Sequence, residues 1–343
     1  MKKTLYIHIG IGKTGTSAIQ KTLFDSRQKL LDAGYYYPLT GLAVNNIGHH
    51  LLAAYQEKQP SEKTKVYYDQ LAYELSNVEQ FRIILSSEQF CYCKSDYLDF
   101  VKDFFSQFEI KIIFFVREQV KLVESTYMWW LSQGYNYKYN IRDFFQMAQG
   151  GFNYNWMINP WVQHFGEDAI NVKVYDKNIL SRSNGIIKYF MNSIDEDVTL
   201  PEQTQDINKS LNNYYSYFIS FLDQTFPELL NVNSVFFKTR VQIVNKLIFI
   251  SDTNLETALI KKEFDEIIEL LKTRFSFDNK KENYIKIFLT NFMKNLDLNH
   301  SLIDEEFRKE ILEYYKNSNN IFSNRFLNGM EKEYFMKNYT IKN

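Results

Sequence analysis

The sequence predicts an α/β fold, with a central parallel sheet flanked by helices and a helical C-terminal extension. Three short runs are almost continuously apolar, which is typical of parallel strands buried on both faces: 5–9, 83–85 and 112–116. Each run is followed by a segment of helical character, as expected where crossover helices connect parallel strands. After about residue 205, apolar residues recur at helical spacing, which favours helices.

The remaining elements follow the same two patterns. A fourth strand is predicted at 170–175. Helices are predicted within four C-terminal segments: 214–222, 241–250, 263–271 and 303–315. Because no repeat or low-complexity linker divides the chain, we expect an α/β core over 1–205 and a mostly helical extension over 206–343 within the same domain.

Composition argues against one broad class of function. The 343 residues include 40 Lys and Arg against 41 Asp and Glu, and a net charge of −1 argues against a general nucleic-acid binder. The two cysteines, Cys91 and Cys93, are too close in sequence for a structural disulfide or a four-ligand zinc site, so we expect reduced thiols in the cytoplasm. No stretch reaches the roughly 18 apolar residues of a membrane span. The sequence thus predicts a soluble intracellular protein, and a peripheral membrane contact is compatible with it.

The segment after the first predicted strand has the features of an anion-binding turn. Three of the twelve glycines fall within 10–15, and the helix predicted to follow has Thr14, Thr16 and Ser17 in its first turn. The first N–H groups of a helix lack intrahelical partners and lie at its positive end, so they attract anions. Lys13 adds a full positive charge. A capped strand-to-helix turn is the alternative for any single residue, but the combination favours an anion site. Its candidate residues are Gly12, Lys13, Thr14, Gly15, Thr16 and Ser17.

Spacing argues against the phosphate loop of ATP-dependent P-loop enzymes. That pattern, G-x-x-x-x-G-K-[ST], when aligned on residues 12–14, requires a glycine at the position of Ile7. An aspartate that would hold magnesium is also missing, because the run 112–116 leads into Arg117. An anion site of this kind indicates a donor that reacts without a metal, so we predict no metal site.

A second candidate anion contact follows the run 112–116. Arg117 stands at the carboxyl end of that predicted strand, where open parallel sheets bind ligands, and its guanidinium matches a phosphate in bidentate fashion. Ser125 would lie about two helical turns further along if the intervening segment is helical. An exposed arginine and a surface serine are the alternative for this pair alone.

Together, the two elements resemble those of sulfotransferases that use 3′-phosphoadenosine 5′-phosphosulfate (PAPS). Residues 13–17, Lys-Thr-Gly-Thr-Ser, resemble the family's 5′-phosphosulfate loop, and Arg117 with Ser125 eight positions later resembles its 3′-phosphate element. The lysine-glycine-arginine loop of many eukaryotic members has no clear equivalent, and the resemblance assigns its place to Lys209 and its neighbours. Further stretches are similar to bacterial carbohydrate-type sulfotransferases: 48–53, 85–88, 161–175, 208–211 and 318–320.

The resemblance implies a P-loop-like sulfotransferase fold and the transfer of a sulfuryl group from PAPS to a carbohydrate hydroxyl, which leaves 3′-phosphoadenosine 5′-phosphate (PAP). The acceptor would be a surface glycan or glycolipid. Lys13 would stabilise charge on the leaving phosphate. Glu88 is the first choice for the base that takes the acceptor proton, because it follows the strand at 83–85. His49 and His50 compete with it, since imidazole titrates near neutrality.

Two other functions stay open at this level. A magnesium-dependent nucleotide or small-molecule kinase of the P-loop class would bind ATP on the same sheet, and a non-catalytic nucleotide-binding protein would bind PAP without turnover. His8, inside the first predicted strand, is interpreted as structural. Several aromatic residues either line an acceptor groove or pack in the core: Trp129, Trp130, Tyr135, Tyr137 and Tyr139.

Overall fold

The computed structural model describes residues 2–43, 47–53, 58–134, 140–194, 198–201, 213–231, 234–252, 257–275, 279–294 and 301–337. The chain forms two compact units. The first comprises Met1–Leu122, Gln149–Asn208 and Lys309–Asn343, and the second comprises Val123–Ala148 and Lys209–Arg308. The domain boundary predicted between 205 and 206 lies outside the described residues.

A parallel sheet forms the core of the first unit. Its strands are β1 (Thr4–His8), β2 (Tyr35–Tyr36), β3 (Arg82–Ser86), β4 (Glu109–Val116) and β5 (Ile170–Val174). They lie in the order β2-β3-β1-β4-β5, with Ile7 paired to Leu85 on one side and to Ile112 on the other. The central strands are buried on both faces, which explains their continuous apolar runs. The predicted α/β class and its parallel sheet are confirmed.

Strand β2 was not predicted. It consists of Tyr35 and Tyr36 alone, which pair with Arg82 and Ile83 of β3. A two-residue strand leaves no run or alternation for sequence analysis to detect. The four predicted strands each agree with the structure to within a few residues at their ends.

Helices make up most of the remaining described chain. Along the first part they are α1 (Thr16–Asp25), α2 (Arg27–Asp32), α3 (Glu62–Ser76), α4 (Ser95–Phe104), α5 (Gln119–Ser132), α6 (Ile141–Ala148), α7 (Tyr154–Phe165), α8 (Lys177–Arg182) and α9 (Ile186–Met191). They continue with α10 (Tyr215–Thr225), α11 (Val235–Asp252), α12 (Thr257–Arg274), α13 (Asn279–Lys294), α14 (Glu305–Phe326) and α15 (Gly329–Lys337). Short 3₁₀ helices span His50–Leu52, Glu88–Tyr92, Gln149–Phe152, Glu167–Ala169 and Pro227–Leu230.

The predicted helical C-terminal part is confirmed. Each of the four predicted segments falls on one of α10, α11, α12 and α14, and the structure adds α13 and α15. Within the second unit, Phe221 of α10 stacks on Phe288 of α13 with ring centroids 3.7 Å apart. Over the described ranges, no helix is both long enough and apolar enough to cross a membrane.

Candidate functional site

The carboxyl ends of β1, β3 and β4 meet around the turn that follows β1. Beyond β1 the chain still pairs with β4, because the Ile9 amide donates to the Ile113 carbonyl at 3.0 Å and the Phe115 amide donates to the Gly10 carbonyl at 2.7 Å. Gly10 has φ 91°, and a Cβ there would lie 2.8 Å from Cα of Glu88. A glycine is therefore required where the turn passes the end of β3.

The turn enters α1 through two residues with positive φ. Lys13 has φ 66°, and Gly15, the N-cap of α1, has φ 79°. The buried Thr14 hydroxyl donates to the Ile11 carbonyl at 2.5 Å, which closes the turn. The prediction that Thr14 belongs to the first turn of the helix is wrong. The helix begins at Thr16, because Gly15 in the left-handed region cannot continue a right-handed helix.

The N-terminus of α1 lies in a tightly packed part of the first unit. A Cβ at Gly15 would lie 3.0 Å from Cγ1 of Ile186 and 3.2 Å from the Tyr175 ring, so the chain passes too close for a side chain. Thr16 is buried and Ser17 is half-buried. Their N–H groups are among the first of an α-helix, which have no intrahelical acceptor and lie at the positive end of its dipole.

Two cationic side chains lie side by side at this edge of the sheet. Arg117 directly follows β4, and its guanidinium donates to the Lys13 carbonyl at 3.0 Å. Burial lowers the pKa of Lys13 to about 8, while the Glu88 carboxylate raises it and the Arg117 guanidinium lowers it. Arg117 contacts the Lys13 backbone, and a Cβ at the preceding Gly12 would lie 3.8 Å from Cγ of Glu88, so the three charged residues share this edge of the sheet.

Two tyrosines contact Arg117. The guanidinium carbon lies 5.6 Å from the ring centroid of Tyr175, within cation–π range. The Tyr154 hydroxyl donates to the Arg117 carbonyl. Sequence reasoning missed both residues. Tyr175 could have been found, because it is the last residue of the strand predicted at 170–175, whereas Tyr154 on α7 has no such signal.

Glu88 lies two residues beyond β3 at the same edge. The Ser87 amide donates to the His8 carbonyl at 3.0 Å and ties the end of β3 to β1. The Glu88 side chain is 31% exposed, and its Oε2 accepts a hydrogen bond from Nε2 of Gln20 at 2.9 Å. A Cβ at Gly12 would lie 3.8 Å from Cγ of Glu88. Glu88 thus borders the turn and keeps access to solvent.

His49 is buried, and the backbone engages both of its ring nitrogens. Its Nδ1 accepts from the Ser86 amide at 3.1 Å, so the ring proton must lie on Nε2, which donates to the Pro38 carbonyl at 3.0 Å. Burial lowers the pKa of His49 to about 4. The environment therefore fixes His49 as a neutral imidazole whose lone pair is already used.

His50 lies next to Glu88. Its Nδ1 is 2.7 Å from Oγ of Ser87, and its Nε2 is 3.9 Å from Oε2 of Glu88. Burial lowers the pKa of His50, and the Glu88 carboxylate opposes that effect. Two of the three predicted candidates for the base are therefore neighbours in the structure.

His8 points into the core of the first unit. Its ring packs edge-on against Phe115 and Phe190, and its Nδ1 lies 2.8 Å from Oγ of Ser86. Burial lowers the pKa of His8 to about 3. The interpretation of His8 as a structural residue agrees with this environment.

Ser125 and the predicted aromatic residues belong to the second unit or lie outside the described chain. Ser125 lies on α5. Trp129 is 44% exposed, and Trp130 packs edge-on against Phe144 at 5.2 Å between ring centroids. The residues outside the described ranges are Tyr135, Tyr137, Tyr139 and Lys209.

Comparison with known proteins gives a partial likeness in structure. No protein-family model matches the sequence, and no curated protein matches it. The structure is similar to the crystal structure of a sulfotransferase from Alicyclobacillus acidocaldarius, with 13% sequence identity and a TM-score of 0.41. The match covers 61% of this chain and 87% of that chain.

Proposed function

We propose that the protein is a sulfotransferase that uses PAPS as donor and a carbohydrate hydroxyl as acceptor. The observation that supports this most directly is the joint position of Lys13, Glu88 and Arg117 at the carboxyl edge of the parallel sheet. Two cations there suit an anionic donor, and a carboxylate beside them suits removal of a proton from an acceptor.

The donor fits the chemistry of the groups present. Lys13 and Arg117 are cationic, the N-terminus of α1 offers N–H groups, and glycines at 10, 12 and 15 leave three positions of the turn without a side chain. When bound, PAPS supplies a sulfuryl group activated by its 5′-phosphate. In the proposed arrangement the turn and Lys13 bind the phosphosulfate end, and Arg117 binds the 3′-phosphate. Ser125 and Lys209 remain proposed donor contacts on the sequence resemblance alone.

Lys13 is suited to stabilise the leaving group. In an in-line displacement, a bond forms between the acceptor oxygen and sulfur while the bond from sulfur to the 5′-phosphate oxygen breaks, and negative charge grows on that oxygen. A preorganised ammonium group stabilises this charge without reorganisation. With a pKa of about 8, Lys13 carries its proton in most molecules at pH 7.

Glu88 is the proposed base. It is partly exposed, so an acceptor hydroxyl can reach it, and its carboxylate takes the proton that the hydroxyl loses as the new bond forms. His50, with Nε2 beside Glu88, is the second choice. We assign His49 a positioning role, because both of its nitrogens serve the backbone.

The acceptor class and the compartment rest on the sequence. The stretches that are similar to bacterial carbohydrate-type sulfotransferases support a surface glycan or glycolipid as acceptor. The buried cysteines Cys91 and Cys93 are not joined in a disulfide, which fits a cytoplasmic location.

Two substitutions separate donor binding from chemistry. We expect Arg117→Ala to weaken PAP binding, because it removes a cation from the donor site, whereas Glu88→Gln should affect PAP binding much less and lower transfer by about 10² to 10⁴. Calorimetric titration with PAP measures binding. Transfer of labelled sulfate from PAPS to a panel of desulfated glycans measures activity.

Arg82 provides a matched control, since it lies at the amino end of β3, at the opposite edge of the sheet. Arg82→Ala should leave both PAP binding and transfer unchanged. Full activity in Glu88→Gln would move the role of base to His50. Unchanged PAP binding in Arg117→Ala would contradict the proposed donor site.

A further inference from the structure

The helix that begins at the proposed donor site also carries a buried amide that reaches Glu88. Gln20 lies on α1, one helical turn after Thr16, and is 2% exposed. Its Nε2 donates to Oε2 of Glu88 at 2.9 Å across 68 positions of sequence. A buried glutamine that contacts a partly exposed carboxylate is well placed to orient it.

The hydrogen bond distinguishes the two carboxylate oxygens of Glu88. Oε2 accepts from Gln20 and lies 3.9 Å from Nε2 of His50. Among the described residues, none makes a hydrogen bond to Oε1. An ionised carboxylate can only accept, so the contacting group of Gln20 must be its NH₂. Because an amide NH₂ group only donates and does not accept a proton, Gln20 orients Glu88 without competing for the proton of the acceptor hydroxyl.

The backbone leaves room for this contact at a glycine. A Cβ at Gly48 would lie 2.8 Å from Nε2 of Gln20 and also 2.8 Å from Nε2 of His50. Any side chain at that position would therefore push on the amide and the imidazole that flank Oε2. Gly48 thus allows Gln20 and His50 to approach the carboxylate together.

We propose that Gln20 is a positioning residue that holds Oε2 of Glu88, so that Oε1 takes the proton of the acceptor hydroxyl. This inference rests on the proposed function. It also links the two halves of the site physically, because one helix provides the anion-binding N-terminus and the amide that orients the base. A donor site and a base held by the same rigid helix keep their relative positions, as efficient transfer requires.

Gln20→Met tests the inference, since methionine has a similar length and lacks the N–H donor. We expect kcat for transfer from labelled PAPS to fall by about tenfold or more, with KM for PAPS and the calorimetric affinity for PAP unchanged. A crystal structure of the ligand-free variant should show the Glu88 carboxylate displaced from its position in the unsubstituted protein. Gly48→Ala should disturb the same hydrogen bond by displacing the Gln20 amide, and we expect the same effects on kcat, KM and PAP affinity.

Two controls match these changes. Gln28 makes the same kind of amide-to-carboxylate bond, with Asp32 at 3.0 Å, on the exposed surface of α2, so Gln28→Met should leave kcat unchanged. Gly150→Ala adds a Cβ in open space and should also be silent. A kcat within twofold of the unsubstituted enzyme in folded Gln20→Met, with Glu88 unmoved, overturns the inference and leaves the proposed function intact. Absence of any transfer by the unsubstituted protein overturns the proposed function instead.

Discussion

The surroundings of Lys13 have a net destabilising effect on its protonated ammonium group. Burial removes hydration from the ammonium group and Arg117 adds a like charge, and the opposite charge of Glu88 compensates only in part, so the pKa of Lys13 falls to about 8. A bound anion would supply the missing compensation. The side chain is therefore charged at pH 7 but loses its proton within the accessible pH range.

The affinity for PAP should fall as the pH rises from 7 to 9. The charged fraction of Lys13 decreases about tenfold over this range when its pKa is about 8, while phosphate groups, whose second pKa is about 6, are already ionised. Calorimetric titration at several pH values measures the change. Lys13→Met should bind PAP more weakly and with little pH dependence, and an identical pH dependence in that variant would show that another group is responsible.

At the level of elements, the ends of β1 and β3 are held by imidazoles that burial keeps neutral. His8 contacts Oγ of Ser86, and His49 accepts from the Ser86 amide. Burial lowers the pKa of His8 to about 3 and that of His49 to about 4, from 6.5 in both cases. In the unfolded chain both rings take up protons below pH 6.5, but in the folded protein they do not.

The free energy of unfolding should therefore decrease as the pH falls from 6.5 towards 4. Each ring contributes up to about 1.4 kcal/mol per pH unit, because the unfolded state binds the extra proton. Urea unfolding at pH 7.5, 6.5 and 5.5 measures the slope. His8→Phe keeps an aromatic ring between Phe115 and Phe190 and should reduce the slope, and an unchanged slope would contradict the role assigned to His8.

The sequence predicts elements well where burial leaves a continuous pattern. Strands β1, β3 and β4 are detectable because residues on both of their faces are buried, and Arg117 is detectable because it directly follows such a strand. In the edge strand β5 only Val172 and Val174 are buried. The contact between Gln20 and Glu88 spans 68 positions and exists only once α1 packs beside the end of β3. The hydrogen bonds of the two His49 ring nitrogens were likewise not predictable from the sequence. They involve the Pro38 carbonyl and the amide of Ser86, which lies 37 positions away on β3.

At the level of the whole molecule, the second unit contains a buried ion pair. Arg240 on α11 donates to both carboxylate oxygens of Asp223 at 2.8 and 2.7 Å and also to the carbonyls of Leu131 and Ser132. Burial raises the pKa of Asp223, and the bonds from Arg240 only partly oppose this. The guanidinium is thus the main source of stabilisation for this carboxylate.

Arg240→Met should destabilise the protein by about 3 to 5 kcal/mol, because it leaves the Asp223 carboxylate buried without its counterion. Chemical denaturation followed by circular dichroism measures the loss. Lys246→Met is the control, since that lysine pairs with Glu263 and Glu266 near the surface and its removal should change stability little. A small effect at Arg240 would show that the pair contributes no more than a surface contact.

The most direct test of the account is a thermal-shift comparison of PAP with ATP and magnesium, at equal ligand concentrations and neutral pH. We expect PAP at about 100 times its Kd to raise the melting temperature by about 3 °C or more, because only the folded state binds it. ATP with magnesium should produce no comparable rise. Stabilisation by ATP and magnesium without stabilisation by PAP would contradict the proposed donor site.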